Sequence, residues 1–279
     1  MAASLAVDPD LEAFRMPGEW EPHEATWLGW PHNVTDWPGR FAPIPWVYGE
    51  IVRKLAEGES VRILVPSKAH ETRARRVLKR VGAATEKVEF FRWPTDRGWT
   101  RDFGPIFVRR DHPEPEVAIA RFRFNGWALY SDWKKDNLVP ERVARAFDLK
   151  LRRAVFKARP VVLEGGALDV NGLGAVLTTE ECLLDPFVQV RNPGFKRADY
   201  ERVLLENLGA HHTIWLGRGI AGDDTHGHVD DLCRFVNETT IVLCRETDSP
   251  DPNHRVLEEN RERLQDARLA DGSKPEVVD

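Results

Sequence analysis

The chain has 279 residues, of which 42% are hydrophobic, and this length is sufficient for one large domain with a sizeable core. Its 45 acidic and 40 basic residues give a formal net charge of −5 and are spread without a basic tract, which argues against nucleic acid as a partner. No apolar stretch approaches the roughly 18 residues of a membrane span, and the first residues lack a secretory pattern, so we expect a cytoplasmic protein without a membrane partner.

Helix-like and strand-like segments alternate along the chain. We expect residues 1–15 to form a flexible N-terminal arm and residues 16–279 to form a single domain. From Trp46 to Ala56, apolar residues recur every four positions, which predicts a helix, and VRILVP behind it is typical of a buried strand. The same order recurs in ETRARRVLKRVG with VEFFRW, PERVARAFDL with LRRAVF, DYERVLLENLGA with HTIWLG, and HRVLEENRERLQDARLADG with PEVV. Repetition of one unit predicts an α/β fold with internal pseudo-symmetry.

Three strand pairs lie between these units. They are TRDFGPIFVRR with EVAIARFRF, VVLEGGALDV with GAVLTTEECLL, and GHVDDLCRFV with TIVLCRE. Turn residues join the members of each pair, as is typical of hairpins. The last three helix–strand units before PEVVD are each followed by such a hairpin, so the repeat predicts further residues beyond Asp279.

Three polar clusters lie at the ends of strand-like segments. In GDDTHGHVDDLCRF, His228 and Asp230 are two residues apart and would point to the same side of an extended segment. In RGWTRDFGPIFV, Asp102 stands beside a Gly-Pro pair with Trp99 three residues earlier, and in VVLEGGALDV Glu164 precedes two glycines. Taken singly, such residues more often cap turns or pack. Together they place three carboxylates and an imidazole at strand ends, which converge in repeat architectures.

The chain resembles the agmatine deiminase branch of the pentein, or guanidine-modifying, superfamily in MPGEWEPHEATWLGWP, WTRDFGP, FNGW, LEGGALDVNG and GIAGDDTHGHVDD. This branch is related to bacterial peptidylarginine deiminases, and the resemblance covers nearly the whole chain. It implies a five-module α/β propeller with pseudo-fivefold symmetry, whose last module is incomplete in this chain. It also implies hydrolysis of agmatine to N-carbamoylputrescine and ammonia, a step of putrescine biosynthesis, without a metal or an organic cofactor.

The resemblance assigns roles to four residues of the polar clusters. Asp102 and Asp230 would bind the guanidinium nitrogens, His228 would act as general acid and base, and Glu164 would orient and charge the imidazole. A guanidinium is a planar cation, and paired carboxylates are suited to holding it by charge-assisted hydrogen bonds.

Two further residues are assigned to the rest of the substrate. Asp224 resembles the position that faces the distal end of the substrate, where an acidic group would favour the amine of agmatine. Trp99 is expected to lie against the alkyl chain or over the cationic end, although core packing explains a Trp at this position nearly as well.

The nucleophile implied by the resemblance is a cysteine thiolate near the C-terminus, in a glycine-rich stretch. We therefore expect it beyond Asp279 and expect the 279-residue chain alone to be inactive. Cys182, Cys233 and Cys244 are an odd number without CxxC spacing, which predicts neither a disulfide framework nor a zinc site. Cys182 and Cys244 lie in strand-like runs and Cys233 among apolar residues, so all three are interpreted as packed thiols.

Three alternative functions remain open. An arginine or peptidylarginine deiminase would keep the same carboxylates and change the pocket around the distal end of the substrate. A non-catalytic guanidinium-binding protein would need no nucleophile. A metal-dependent hydrolase would use His226, His228 and Asp230 as ligands. The oligomeric state is left open, a homo-oligomer included.

Overall fold

The computed structural model describes residues 14–279. The predicted arm, residues 1–15, therefore lies outside the described residues except for its last two. Phe14 is buried in an apolar cluster, and the backbone of Arg15 exchanges hydrogen bonds of 2.9 and 2.8 Å with the backbone of Arg109. These two residues belong to the folded part of the protein.

Strands and helices alternate throughout residues 14–279. The strands, β1 to β14 in chain order, are Ala25–Gly29, Ser60–Leu64, Val88–Phe91, Ile106–Arg110, Glu116–Arg121, Lys150–Arg153, Val155–Phe156, Arg159–Pro160, Asp169–Val170, Ala175–Thr179, His212–Leu216, Cys233–Phe235, Thr240–Leu243 and Glu276–Val278. The α-helices, α1 to α7, are Ile44–Gly58, Lys68–Val81, Thr100–Phe103, Val139–Ala146, Glu180–Leu184, Arg197–Leu208 and Pro252–Gln265. In this part of the chain, no helix has the length and apolar character that a membrane crossing requires.

The five predicted helix–strand pairs are confirmed. They are α1 with β2, α2 with β3, α4 with β6, α6 with β11, and α7 with β14. The helix ends carry ordinary caps: the Ser67 side chain accepts a hydrogen bond from the His70 N–H at the start of α2, and Gly82, with φ of 72°, ends it. Local sequence signals therefore set these elements.

Four three-stranded sheets and one two-stranded ribbon make up the β structure of the described residues. Three sheets share one topology, in which an antiparallel hairpin is followed by a helical connection and by a third strand parallel to the second. These sheets are β4–β5–β6, β9–β10–β11 and β12–β13–β14. The remaining one, β1–β2–β3, is parallel throughout. The fold is mixed α/β, and the predicted repetition of a hairpin, a helix and a strand is present.

The run EECLL was predicted to continue a strand, and this is wrong. Strand β10 ends at Thr179, and the run forms helix α5, Glu180–Leu184. The Thr179 hydroxyl accepts a hydrogen bond of 3.1 Å from the Cys182 N–H, which caps the helix and turns the chain out of the sheet. A short apolar run cannot distinguish a strand from a buried helix by its periodicity.

Candidate active site

Three short segments from different sheets meet at one place. Helix α3 (Thr100–Phe103) precedes β4, and two 3-10 turns, Gly165–Ala167 and Val229–Asp231, precede β9 and β12. The turn at Gly165–Ala167 packs against both of the other segments. Each segment stands directly before the first strand of one repeated unit, so equivalent positions of three units converge.

Two glycines allow this close packing. A Cβ atom on Gly165 would lie 2.1 Å from the carbonyl oxygen of Arg101. A Cβ atom on Gly166 would lie 2.5 Å from His228 Nδ1 and 2.6 Å from Asp102 Oδ1. The Gly166 N–H also donates a hydrogen bond of 3.0 Å to Asp102 Oδ1. A residue with a side chain in place of either glycine of the EGG motif would push the surrounding groups of the site apart.

His228 lies at the centre of the site and is 2% exposed. Its Nδ1 is 3.6 Å from Asp102 Oδ1 and 3.9 Å from Asp230 Oδ1, while its Nε2 is 3.6 Å from Glu164 Oε2. Both predicted guanidinium-binding carboxylates therefore face one nitrogen of the ring, and the predicted orienting carboxylate faces the other. The structure brings these four predicted residues together.

Burial and neighbouring charges shift the pKa values of the residues in the site. Burial disfavours a charged His228, but Asp102, together with Cys182 and Glu164, raises the pKa of His228 well above its ordinary value. Burial raises the pKa of Asp102 to about 6, against the opposing charge of His228. Burial would also raise the pKa of Glu164, but Arg191 and His228 together hold this pKa below its ordinary value. At neutral pH the site therefore contains a protonated imidazole between carboxylates, which can serve as a proton donor.

Arg191 is a residue of the site that the sequence did not indicate. Its Nε lies 3.3 and 3.4 Å from the two carboxylate oxygens of Glu164, and both side chains are fully buried. Its Nη1 donates a hydrogen bond of 3.1 Å to the Gln189 carbonyl, and its Nη2 donates to the Thr225 carbonyl. Arg191 thus attaches Glu164 to the loop that leads to His228. A single Arg in a loop gives no sequence signal for this contact.

Trp127, from the FNGW motif, contacts Asp102 directly. The indole Nε1 donates a hydrogen bond of 3.1 Å to Asp102 Oδ2. With the Gly166 N–H on Oδ1, each oxygen of this carboxylate accepts one hydrogen bond from the protein. The sequence analysis quoted this motif for the resemblance but assigned it no role.

Asp223, the neighbour of the predicted Asp224, organises the loop before His228. Its Oδ1 accepts a hydrogen bond of 2.7 Å from the Thr225 N–H, and its Oδ2 accepts from the N–H groups of Gly227 (2.7 Å) and His228 (3.2 Å). An Asp two residues before a Thr is a common turn former, and this signal was available in the sequence.

Asp230 has a second partner from the chain itself. Its Oδ2 lies 3.2 Å from Arg101 Nε, while Oδ1 faces His228. Arg101 also bonds Glu19, which accepts a hydrogen bond of 2.6 Å from Arg234 Nη2. A cationic ligand at Asp230 would therefore share this carboxylate with Arg101.

The other two predicted residues are more exposed. Asp224 accepts a hydrogen bond of 2.9 Å from the Tyr130 hydroxyl through Oδ2. Trp99 is 37% exposed, and its ring centroid lies 5.2 Å from that of Trp37. The Trp99 ring therefore packs against another aromatic ring and still presents surface to solvent.

The alternative metal set of His226, His228 and Asp230 is not brought together. His226 Nε2 lies 2.9 Å from Asp185 Oδ2. Among residues 14–279, the group whose ligand atoms lie close enough for a metal ion contains Cys182 instead, with Glu164 and His228.

Cys182 belongs to the site, so its interpretation as a packed hydrophobe is incomplete. Its Sγ, an oxygen of Glu164 and a ring nitrogen of His228 all lie within 4.8 Å of one another. Cys233 is buried in β12, and burial raises the pKa of its thiol. The interpretation of Cys244 as a packed thiol is wrong, because this residue is exposed, with its thiol 3.9 Å from the carbonyl oxygen of Asp231.

Sequence comparison identifies relatives of the whole described chain. The profile of the Porphyromonas-type peptidyl-arginine deiminase family matches residues 15–279. An agmatine deiminase of Pseudomonas aeruginosa (strain LESB58) is 34% identical in an alignment of 266 positions that covers 91% of this chain and 68% of that protein. An agmatine deiminase of Medicago truncatula is 33% identical in an alignment of 286 positions that covers 98% of this chain and 72% of that protein.

Solved structures show the same relationship. The agmatine deiminase of Enterococcus faecalis superimposes with a TM-score of 0.85 at 29% identity, over 98% of this chain and 72% of that one. A cysteine-to-serine variant of the C. jejuni agmatine deiminase with substrate bound gives a TM-score of 0.80 at 28% identity, over 95% and 73% of the two chains. The resemblance drawn from the motifs is confirmed, and the chain belongs to the Porphyromonas-type peptidyl-arginine deiminase family.

Proposed function

We propose that this protein hydrolyses agmatine to N-carbamoylputrescine and ammonia. The observation that carries the proposal is the placement of His228, with Asp102 and Asp230 at one ring nitrogen and Glu164 at the other. The relatives named agmatine deiminases support the choice of substrate.

Asp102 and Asp230 bind the guanidinium in this proposal. A carboxylate offers about four lone-pair positions, so Asp102 can accept from the substrate in addition to Trp127 and Gly166. Because Asp102 is buried, hydrogen bonds between its charge and a guanidinium are stronger than they would be in water. The two carboxylates would hold the planar cation with its central carbon in a fixed position.

His228 transfers the protons of the reaction. A cysteine thiolate adds to the guanidinium carbon, and the carbon–nitrogen bond breaks as the departing nitrogen takes the proton of His228 and leaves as ammonia. The neutral ring then accepts one proton from water, whose oxygen adds to the carbon. The thiolate leaves as the carbonyl of the ureido product forms, and the second proton of the water is released to solvent. Glu164 and Arg191 keep the ring oriented. The substrate-bound cysteine-to-serine variant of the C. jejuni enzyme supports a cysteine nucleophile.

Asp224 binds the distal amine, and Trp99 contacts the alkyl chain, in the same proposal. The exposed carboxylate of Asp224 is oriented by the Tyr130 hydroxyl. Asp224→Asn should lower the affinity for agmatine about tenfold and leave the affinity for methylguanidine, which has no distal amine, unchanged. Equal losses for both ligands would contradict this role.

The test is ureido-product and ammonia formation by the protein expressed from its complete reading frame, with agmatine, arginine and an arginine-terminated peptide as substrates. Asp102→Asn should lower turnover of agmatine at least about a hundredfold, because the guanidinium would lose one charged partner. Asp271→Asn is the matched control, since Asp271 is exposed and, within the part of the chain that the structure describes, its side chain bonds only Ser273 of the same turn. Full activity of Asp102→Asn would sink the mechanism.

Two other outcomes identify the alternative functions. Faster turnover of the peptide than of agmatine would indicate a peptidylarginine deiminase, the activity in the name of the family. Saturable agmatine binding without ammonia release would indicate a guanidinium-binding protein.

We also infer that the repeated units are modules of a pseudo-fivefold α/β propeller within one catalytic domain, residues 16–279. The three hairpin–helix–strand sheets support this inference, since each contributes its segment before the first strand to the same site. The cytoplasmic location stays a prediction.

A further inference from the structure

One buried nitrogen of the site has no hydrogen-bond partner among residues 14–279. His228 Nε2 is enclosed by protein, and no donor or acceptor of these residues lies within bonding geometry of it. A buried polar atom without a partner is destabilising, so the groups around this nitrogen require an explanation. Those neighbours are Glu164 Oε2, at 3.6 Å, and the Sγ of Cys182.

The spacing of these groups is too long for a hydrogen bond and suits a shared metal ion. Zinc binds His nitrogen and carboxylate oxygen at about 2.0–2.2 Å, which separates two ligand atoms of a tetrahedron by about 3.3–3.5 Å. The Nε2 to Oε2 distance of 3.6 Å is close to this value. Cys182 Sγ lies within 4.8 Å of a ligand atom of each of these two side chains, so all three groups border the same small volume.

We infer that Glu164, Cys182 and His228 form a binding site for a thiophilic divalent cation such as Zn²⁺. Thiolate, imidazole and carboxylate together favour zinc over the hard cations Mg²⁺ and Ca²⁺, which prefer oxygen. The three residues come from separate parts of the chain, and all are at most 3% exposed. The site is distinct from the pair of carboxylates at Nδ1.

Charge and protons balance in this site. Binding removes the proton of the Cys182 thiol and the Nε2 proton of the protonated His228 ring to solvent, so two protons leave for each metal ion bound. The thiolate and the Glu164 carboxylate then neutralise the two charges of the ion. Glu164 keeps its contact with Arg191, because a carboxylate has lone pairs for both partners.

A metal ion here would take the Nε2 lone pair of His228 and hold the ring in place. Under the proposed function, the ring could then no longer exchange both protons and the enzyme would be inhibited. This consequence rests on the proposed function, whereas metal binding itself does not and is tested without substrate.

The experiment is titration of the reduced, untagged protein with Co²⁺, followed by displacement with Zn²⁺. Co²⁺ bound to a thiolate has a charge-transfer absorption band that carboxylate and imidazole sites lack. We expect this band at one Co²⁺ per chain, its loss on adding Zn²⁺, and no effect of Mg²⁺. Failure of the folded protein to develop the band would overturn the inference.

Variants of the three cysteines show which thiol gives rise to the absorption band. Cys182→Ser should abolish it and weaken Co²⁺ binding at least about tenfold, while Cys244→Ser should leave both unchanged. The double variant Cys233→Ala/Cys244→Ser keeps Cys182 as the only thiol within residues 1–279, so it must retain the band even if Cys182→Ser fails to fold. A band that persists in folded Cys182→Ser, or disappears in the double variant, would refute the site. Agmatine turnover without the band would leave the proposed function intact and reject only the metal site.

Discussion

Gly166→Ala is the substitution that tests the geometry of the site most directly. The new methyl group would lie 2.5 Å from His228 Nδ1 and 2.6 Å from Asp102 Oδ1, where ordinary contacts begin at 3.4 Å. The two side chains must therefore retreat by about 0.8–0.9 Å, the differences between these distances. Overpacking of this kind costs about 1–3 kcal/mol of unfolding free energy, and a displacement near 1 Å costs on the order of a hundredfold in turnover.

Gly58→Ala is the matched control. Gly58 is the last residue of α1, and a Cβ atom there would meet no heavy atom of the described residues within 4 Å. Its φ is not in the left-handed region, so Ala fits the backbone without strain. We expect unchanged turnover and a gain of up to about 1 kcal/mol, because Ala has the higher helix propensity.

The assays are urea denaturation for the free energy of unfolding, calorimetry for agmatine affinity, and ureido-product formation for turnover. We expect Gly166→Ala to lower the free energy of unfolding, the agmatine affinity and the turnover, and Gly58→Ala to lower none of them. If Gly166→Ala binds agmatine as tightly as the unmodified protein and unfolds within about 0.5 kcal/mol of it, the close approach at Gly166 does not matter.

Three further predictions concern buried charges. Arg191→Met should lower the free energy of unfolding by about 3–5 kcal/mol, because the buried Glu164 loses the guanidinium that lies against both of its oxygens and keeps only His228, at 3.6 Å. Adding Glu164→Gln should recover part of this loss in urea denaturation, and strictly additive losses would contradict the pairing. Burial raises the pKa of Asp136 to about 7, so the folded state holds this proton more tightly and stability should fall as pH rises from about 4 to 7. Asp136→Asn should make the stability less dependent on pH in this range, and an unchanged pH dependence would contradict the raised pKa of Asp136. Because the pKa of Asp102 is about 6, agmatine affinity should decline as pH falls through 6, and calorimetry showing constant affinity from about pH 8 to 5 would refute the role of this carboxylate.

The elements with regular local patterns could be predicted from the sequence. The helix from Trp46 to Ala56 lies within α1, and the strand in VRILVP is β2, because apolar spacing and caps act over a few residues. EECLL could not be assigned this way, since its helical state follows from a cap at Thr179. Its misassignment also hid the contact between Cys182 and His228.

Some residues of the site could likewise be predicted from the sequence, and others could not. Asp102, Glu164, His228 and Asp230 stand in motifs whose residue types are visible without coordinates, and the structure places them together. Arg191 is invisible in the sequence, because its partner Glu164 is 27 residues away and nothing local connects them.

The sequence by itself determined the repeated helix–strand order, the family, and the polar residues at the strand ends, because each depends on residues that are close along the chain. Only the tertiary structure decided which side chains lie next to one another in the site. These pairs are Trp127 with Asp102, Arg191 with Glu164, and Cys182 with His228. Such contacts depend on how separate sheets pack at Gly165–Ala167, and side-chain distances across sheets are not encoded in the spacing of residues along one chain.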